Sequence, residues 1–267
     1  VVHHIAFDAW SAGVLLRELA TIYTAFSDGR PSPLPDPPNQ YADFAAWQRG
    51  WLQAVVLEKE ISYWQQQLHG APATLDLPAD RPRPPVQTYC GGSEALVLPQ
   101  GLTESLVTLS QREDTTLFMV LLAAFQTLLH RLTGQDDLVV GSPIAGRTRP
   151  ETEGLIGIFL NNLVLRTDLS GNPTFLDLLG RVRETALGAY DHQDLPFEKL
   201  LEELKPERDP SRTPLFQTYF NMILSDDLDL APQGLRMAEF ELHGSLANFD
   251  LSAYVRKVCE GIQVRFN

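Results

Sequence analysis

The chain has 267 residues, of which 44% are hydrophobic and 21% are charged, and its formal net charge is −13. This is the composition of a globular protein with room for one large domain or two small ones. The negative charge argues against nucleic acid as a partner, because phosphate binding needs a basic surface. No run of about 18 apolar residues occurs, so we expect no membrane span. Two cysteines far apart, Cys90 and Cys259, suit a reducing, cytoplasmic compartment.

The first eleven residues, V-V-H-H-I-A-F-D-A-W-S, form the pattern richest in chemistry. If residues 1–5 are a strand, His3 and His4 point to opposite faces, and only one of them faces a given cleft. Histidine can pass a proton near neutral pH, and Asp8 can fix an imidazole tautomer or anchor the loop beneath it. The alternative is that both histidines only pack. A metal site is disfavoured, because adjacent strand histidines diverge and no other cluster completes a tetrahedral set.

The chain starts inside this pattern and without Met, which predicts that the front of a longer protein is missing. Ser11 is predicted to cap a helix that carries apolar residues at three- and four-residue steps and ends at Gly29. Residues 30–38 are a proline-rich connector, and residues 41–68 predict two helices or one bent helix. Residues 70–92 contain five prolines and predict a linker, in which Arg81 and Arg83 are expected to be solvated.

The remaining chain alternates between strand and helix patterns. Thr115 or Thr116 is predicted to cap a strongly apolar helix that ends at Gly134, and Thr174 with Asp177 predicts a capping box. Further helices are predicted at 103–113 and 197–204, and strands at 93–98, 137–142, 158–166, 216–223, 235–242, 251–258 and 262–266. The result is a layered α/β domain with a mixed sheet and flanking helices.

Five motifs in this order resemble the signatures of nonribosomal peptide synthetase condensation domains. The first is the H-H-x-x-x-D pattern of residues 3–8, and the others are Y-A-D-F-A-A-W-Q-R (41–49), I-G-I-F-L-N-N (156–162), H-Q-D-L-P-F-E (192–198) and R-D-P-S-R-T-P-L-F-Q (208–217). The resemblance implies a chloramphenicol-acetyltransferase-like two-layer sandwich. Residues 1–70 would then be the C-terminal part of the N-terminal subdomain, 71–92 a linker, and 93–267 the C-terminal subdomain, with a channel between the two subdomains.

The resemblance also implies a reaction and its partners. An acceptor aminoacyl thioester attacks a donor aminoacyl or peptidyl thioester to form an amide bond, so the domain would be an acyltransferase. Upstream donor and downstream acceptor peptidyl carrier domains would present both groups on 4′-phosphopantetheine arms, beside a neighbouring adenylation domain. The domain itself would bind no cofactor and no metal, and it would contact neither nucleic acid nor membrane.

The candidate catalytic residues are His4, His3 and Asp8. His4 either takes the amine proton or orients the amine and stabilises the tetrahedral intermediate, and the resemblance leaves both roles open. His3 is interpreted as structural because of the strand alternation. Asp8 is expected to form a structural ion pair with an arginine, for which Arg147 is the local candidate and a residue in the missing front is the alternative.

Four residues are candidates for the substrate channel: Ala9, Trp10, Asn161 and Asn162. Ala9 replaces the glycine of the family motif, so its methyl would narrow the channel or shift the loop unless its backbone angles are ordinary. The two asparagines match a channel-facing amide of the family, although asparagine also commonly satisfies a loop backbone.

His192, Asp194 and Ser211 suggest a catalytic triad, which we reject because aminolysis of a thioester needs no covalent enzyme intermediate. We expect His192 and Asp194 to cap and anchor the helix that starts at Pro196 instead.

The same motifs favour one condensation subtype, leave two alternatives open and exclude one domain type. The H-H-I-x-x-D-x-W-S form of the first motif favours a condensation domain that takes an L-configured donor. An epimerisation domain shares the histidine motif, but its other signatures are not evident. A heterocyclisation domain is excluded, because it has an Asp-led motif instead of the two histidines. A non-catalytic docking platform or fragment is the remaining alternative.

Overall fold

The computed structural model describes residues 2–223, 235 and 246–267. Its helices are the 3₁₀ turn η1 (His4–Ala6), α1 (Ala9–Ser27), α2 (Tyr41–Trp51), α3 (Ala54–Leu68), α4 (Gln100–Arg112), α5 (Leu117–Thr133), α6 (Pro150–Glu153), α7 (Phe175–Asp191) and α8 (Phe197–Leu204). Its strands are β1 (Glu94–Pro99), β2 (Asp137–Ile144), β3 (Asn161–Asp168), β4 (Thr218–Ile223), β5 (Leu251–Val258) and β6 (Gly261–Phe266). The strand predicted over 235–242 lies, apart from Leu235, outside the described residues.

The first compact unit comprises, among the described residues, 2–58, 144–161 and 235. Its longest helix, α1, begins one turn earlier than predicted, because Asp8 and not Ser11 is the N-cap. The Asp8 side chain accepts a hydrogen bond from the Ser11 N–H, as an N-cap does from the third helical residue. The helix ends as predicted just before Gly29, whose φ of 69° is left-handed.

The second unit comprises, among the described residues, 59–143, 162–223 and 246–267. It holds a six-stranded mixed sheet in the order β1-β6-β5-β4-β2-β3. Strand β4 runs parallel to β2 and β5, whereas β6 runs antiparallel to β5 and β1. Helix α5 is capped as predicted by Thr116 and by Gly134, whose φ is 71°. Its fully buried Val120 and Leu129 contribute to the core of this unit.

Residues 71–92 contain no named helix or strand and belong to the second unit, where hydrogen bonds hold them as a strap. Arg83, which was predicted to be solvated, donates to the Ser211 carbonyl at 2.9 Å and forms an ion pair with Asp250. Arg83 is exposed as predicted, and Asp250, distant in sequence, supplies a charge partner that the sequence did not indicate. The Gln87 N–H also donates to the Pro210 carbonyl at 3.0 Å.

The compact units are divided differently from the subdomains predicted at 1–70 and 93–267. The first stretch of the first unit ends within α3, at residue 58, and the unit also includes residues 144–161 from the middle of the chain. The boundary in the linker remains a prediction about subdomains.

Cys90 and Cys259 are both free and exposed. Among the described residues no single helix has the length and apolarity to cross a membrane, although the pair α4 and α5, bent by 107°, meets the same test together.

Candidate functional site

The two histidines lie in a 3₁₀ turn, so the strand prediction for residues 1–5 is wrong. His3 is the N-cap of η1, and its Nδ1 accepts the Ile5 N–H at 3.1 Å. A side-chain cap within five residues gives no periodic pattern, which is why the sequence could not distinguish it from a strand. The structural interpretation of His3 therefore rests on capping and not on strand alternation.

His4 differs from His3 in what its ring contacts. Its backbone carbonyl accepts the Phe7 N–H at 3.2 Å and closes the turn. The residue is exposed, and its imidazole makes no hydrogen bond to any described residue. Both ring nitrogens are therefore available to a substrate group, whereas one nitrogen of His3 is occupied by the cap.

Asp8 is buried, with 3% of its surface exposed. One carboxylate oxygen accepts the Ser11 N–H at 2.8 Å and the Arg147 Nη2 at 3.1 Å, and the other accepts the Phe159 N–H at 3.0 Å. The structure thus pairs Asp8 with Arg147, the arginine named from the sequence. The carboxylate joins η1 and α1 to the segment 144–161 of the same unit.

Burial by itself would raise the pKa of Asp8, because it penalises the charged carboxylate. The hydrogen bonds from the Phe159 N–H and from Ser11, together with the positive charge of Arg147, outweigh burial and hold the pKa of Asp8 below its ordinary value. Asp8 is therefore ionised at neutral pH and is not a proton donor there. An ionised carboxylate can accept hydrogen bonds and anchor the chain, but it has no proton to donate as a general acid.

Arg147 is the centre of this cluster, with 1% of its side chain exposed. Its Nη1 donates to the carbonyls of Leu155, at 2.8 Å, and Thr152, and its Nη2 donates to the Ser11 hydroxyl at 2.9 Å. The guanidinium also lies 4.1 Å from the centre of the Phe159 ring. Burial lowers the pKa of Arg147 and the Asp8 carboxylate opposes that effect.

Ser11, which the sequence predicted as the N-cap of α1, instead links α1 to residues 147 and 157. Its Oγ donates to the Gly157 carbonyl at 2.9 Å and accepts from the Gly157 N–H at 3.0 Å, in addition to its bond with Arg147. A hydroxyl has one donor and two acceptor sites, so all three are used. The spacing of Asp8 and Ser11, which fits an N-cap and its third helical residue, is the signal that could have revealed the pair.

The same segment packs on α2 through aromatic side chains. The Tyr41 hydroxyl donates to the Ile158 carbonyl at 2.9 Å, and the rings of Phe44 and Phe159 have centroids 4.7 Å apart. Gly146 has a φ of 63°, and a Cβ there would lie 1.9 Å from the Phe159 carbonyl oxygen. Only glycine fits at this position, immediately before Arg147.

Ala9 and Trp10 open helix α1. Ala9 is exposed and is not one of the residues with positive φ, so the glycine of the family motif is not required here by backbone conformation. The Trp10 indole N–H donates to the Glu153 carbonyl at 2.9 Å, and 44% of the residue is exposed. The Trp10 ring is therefore held by its hydrogen bond to Glu153, and part of the residue is still exposed.

Asn161 and Asn162 begin strand β3 and are half-buried. The Asn162 carbonyl oxygen accepts the Tyr219 hydroxyl at 2.7 Å. Burial and the nearby Tyr254 raise the pKa of Tyr219, so this hydroxyl keeps its proton and remains a donor. The assignment of the two asparagines to a substrate channel remains a prediction.

The predicted role of His192 at the helix after Pro196 is wrong. His192 is the C-cap of α7, its Nδ1 lies 2.9 Å from Glu60 Oε2, and its ring stacks on Tyr63 with centroids 3.9 Å apart. These partners come from α3, more than a hundred residues earlier, so no local pattern could name them. The Ser211 hydroxyl donates to Asp209 Oδ1 at 2.7 Å.

No group of three or more His, Cys, Asp or Glu side chains in the described part of the chain could hold a metal ion. Hydrogen bonds join Asp8, Ser11 and Arg147 into one cluster, which follows the turn that contains His4 in the sequence.

The chain is similar to several multidomain synthetases. It is 46% identical over 260 residues to malpinin synthetase of Mortierella alpina, covering 97% of this chain and 3% of that protein. It is 44% identical over 263 residues to phosphinothricin tripeptide synthetase PhsB of Streptomyces viridochromogenes, covering 97% of this chain and 22% of that protein. The chain thus spans a small part of each of these relatives.

Solved structures share the fold. The X-domain from teicoplanin biosynthesis superimposes with a TM-score of 0.89 at 30% sequence identity, covering 99% of this chain and 62% of that one. The first condensation domain of the CDA synthetase has a TM-score of 0.74 at 24% identity, covering 100% of this chain and 58% of that one, which shows a common fold. The family model for the condensation domain matches residues 1–267, and the chain therefore belongs to the condensation domain family.

Proposed function

We propose that this chain takes part in forming an amide bond between a donor acyl thioester and an acceptor aminoacyl thioester in nonribosomal peptide synthesis. The observation that carries the proposal is the contrast between Asp8 and His4. Asp8 is buried and fully bonded, whereas His4 is exposed with an imidazole free of hydrogen bonds to described residues. The buried Asp8 holds the chain in place close to His4, and the accessible His4 imidazole can then contact a substrate amine.

The proposed reaction is an acyl transfer. The neutral acceptor amine attacks the donor thioester carbonyl, a C–N bond forms, the C–S bond breaks, and the amine proton ends on the departing thiolate. A thioester is already activated, so holding the two groups together supplies much of the acceleration. The proposed partners are donor and acceptor carrier domains with phosphopantetheine arms and a neighbouring adenylation domain.

We expect His4→Ala to lower the rate of amide formation by about 100-fold, the low end of what a positioned acid–base group contributes. The assay mixes full-length protein with loaded donor and acceptor carriers and quantifies the dipeptidyl thioester by mass spectrometry. His69→Ala is the matched control, because His69 is an exposed histidine in the second unit. Equal rates for wild type and His4→Ala would overturn the proposal.

The pH dependence separates the two roles left open for His4. If the imidazole accepts the amine proton, the ratio of wild-type to His4→Ala rates changes with pH, because protonation of the amine itself affects both proteins equally. If it only positions the amine and the intermediate, the rate falls by the same factor at every pH. Single-turnover rates with preloaded carriers measure this without interference from carrier loading.

One observation favours a second candidate, a docking platform without catalysis. The teicoplanin X-domain, which shares this fold at 30% identity, is described in a complex with OxyB. A platform predicts no dipeptidyl thioester from the wild-type protein and undiminished binding of a partner protein to His4→Ala. Racemisation of one loaded carrier without amide formation would instead support epimerisation.

A further inference from the structure

Tyr219 and Asn162 lie on the face of the sheet in the second unit that points away from α5. In β4, the ring of Phe220 packs against Phe125 of α5, with centroids 5.7 Å apart. Successive side chains of a strand point to opposite faces, so Tyr219 points away from α5. In β3, the Thr167 hydroxyl accepts a hydrogen bond from a glutamine of α5 at 3.1 Å. Asn162 is separated from Thr167 by an odd number of positions, and it therefore also points away from α5.

A hydrogen bond joins these two side chains across strand β2. The strands lie in the order β4, β2, β3, and the Tyr219 hydroxyl donates to the Asn162 Oδ1 at 2.7 Å. Gly141 is the β2 residue that pairs with Tyr219. A Cβ on Gly141 would collide with the ring of Phe216, which packs beside Tyr219. The missing side chain of Gly141 therefore leaves room for the aromatic rings over β2.

Aromatic packing fixes the Tyr219 ring. It stacks on Phe249 with centroids 4.5 Å apart and an angle of 8° between the planes, and only 7% of the residue is exposed. Burial raises the pKa of Tyr219, so its hydroxyl remains a donor. Because a hydroxyl donor binds the oxygen of an amide, the Asn162 side chain is held with Oδ1 toward Tyr219. Its NH2 group is then the end directed away from Tyr219.

We propose that Tyr219 is a positioning residue that orients the Asn162 NH2 group to donate a hydrogen bond to the carbonyl oxygen of the donor thioester. This inference rests on the amide-forming function proposed above. As the acceptor amine attacks, the C–N bond forms and this oxygen gains negative charge. The charge is lost when the C–S bond breaks, the carbonyl reforms and the amine proton passes to the departing thiolate.

A fixed amide donor stabilises the negative charge of the intermediate. If Asn162 turned its Oδ1 toward the substrate, it would lose its bond to Tyr219 and repel the charged oxygen. The Tyr219 hydroxyl therefore selects the orientation of Asn162 that favours the reaction.

Tyr219→Phe removes only the hydroxyl and tests the positioning role. With full-length protein and loaded carriers, we expect the single-turnover rate at saturating carrier to fall about ten-fold, and Asn162→Ala to lower it about 100-fold, as the loss of an oxyanion donor does. The carrier concentration that gives half the maximal rate should stay unchanged, because the hydrogen bond strengthens only in the intermediate. Tyr190→Phe is the matched control, since this half-buried tyrosine of α7 makes no side-chain hydrogen bond to a described residue.

The double variant Tyr219→Phe/Asn162→Ala separates positioning from general support of the fold. If Tyr219 acts through Asn162, the double variant is no slower than Asn162→Ala. Losses that multiply in the double variant, a wild-type rate in Tyr219→Phe, or an unchanged maximal rate with a raised half-saturating concentration would each overturn the proposal. Thermal unfolding identifies the folded variants.

Asn162→Asp keeps the proposal testable if Tyr219→Phe fails to fold. A carboxylate still accepts the Tyr219 hydroxyl but offers oxygen in place of the NH2 group, so the rate should fall about 100-fold. A wild-type rate in this variant would refute the role of the amide. A wild-type protein that forms no dipeptidyl thioester would refute the amide-forming function and this inference with it, whereas activity that depends on His4 but not on the Tyr219 hydroxyl would refute this inference alone.

Discussion

At the scale of single residues, the side chains of one short motif differ in what they contact. His3 caps the turn, Asp8 anchors it, and His4 is left with an unoccupied ring. The sequence pointed to these three residues and offered Arg147 as the local partner of Asp8, with a residue in the missing front as the alternative, and the structure shows the Arg147 pair. The sequence could not assign Ser11 and the Phe159 N–H, since both act through contacts that depend on the folded chain.

Asp8→Asn should lower the free energy of unfolding by about 3–5 kcal/mol at neutral pH, because it leaves the buried Arg147 charge unpaired. The loss should be pH-dependent. The pKa of Asp8 is lower in the folded protein than in the unfolded chain, so its stabilisation is complete above about pH 4, the ordinary range of aspartate, and fades as the pH falls through the lowered value.

Chemical denaturation between neutral and acidic pH measures this effect. The difference in stability between wild type and Asp8→Asn should shrink as the pH falls below the ordinary range of aspartate. Asp36→Asn, at an exposed position in the proline-rich connector, controls for removal of a surface carboxylate. A difference that stays constant with pH would show that Asp8 does not act through its charge.

At the scale of elements, the sequence predicts helix ends correctly where the capping residues are close together in the chain. Thr116 and Gly134 bound α5, and Thr174 with Asp177 forms the predicted capping box of α7. The opposite end of α7 was not predictable, because His192 is held by partners on α3. A cap whose partners lie within four residues can be predicted from the sequence, whereas contacts between helices depend on the tertiary fold.

Thr174→Ala should reduce stability by about 1 kcal/mol, the usual cost of removing an N-cap side chain. Its hydroxyl accepts the Asp177 N–H at 3.2 Å. Thr108→Ala is the matched control, because that hydroxyl bonds to the Glu104 carbonyl within α4 and caps nothing. Denaturant midpoints compare the two, and an equal loss for both would contradict the capping argument.

At the scale of the whole molecule, the sequence predicted the α/β class but not how distant segments combine. The final strand β6 lies between β1 and β5 in the sheet, and residues 144–161 belong with the first unit. The pairing of β6 with β1 joins residues more than a hundred positions apart, and no periodicity in the sequence predicts it. The five ordered motifs indicated the family because they are spread over most of the chain.

The strap offers a test at this scale. Arg83→Ala removes the ion pair to Asp250 and the bond to the Ser211 carbonyl, so residues 71–92 should be cut several-fold faster in limited proteolysis. The cost in global stability should be only about 1 kcal/mol, because the pair is partly exposed to solvent. Arg81→Ala is the control, and identical cleavage rates for both variants would show that Arg83 does not hold the strap.

The two free thiols, Cys90 and Cys259, are exposed and both belong to the second unit. Maleimide fluorophores placed on the native cysteines therefore report on distances within that unit alone. An energy-transfer experiment that monitors movement between the units needs an introduced cysteine in the first unit, for example Ser27→Cys at the exposed end of α1, combined with removal of one native thiol.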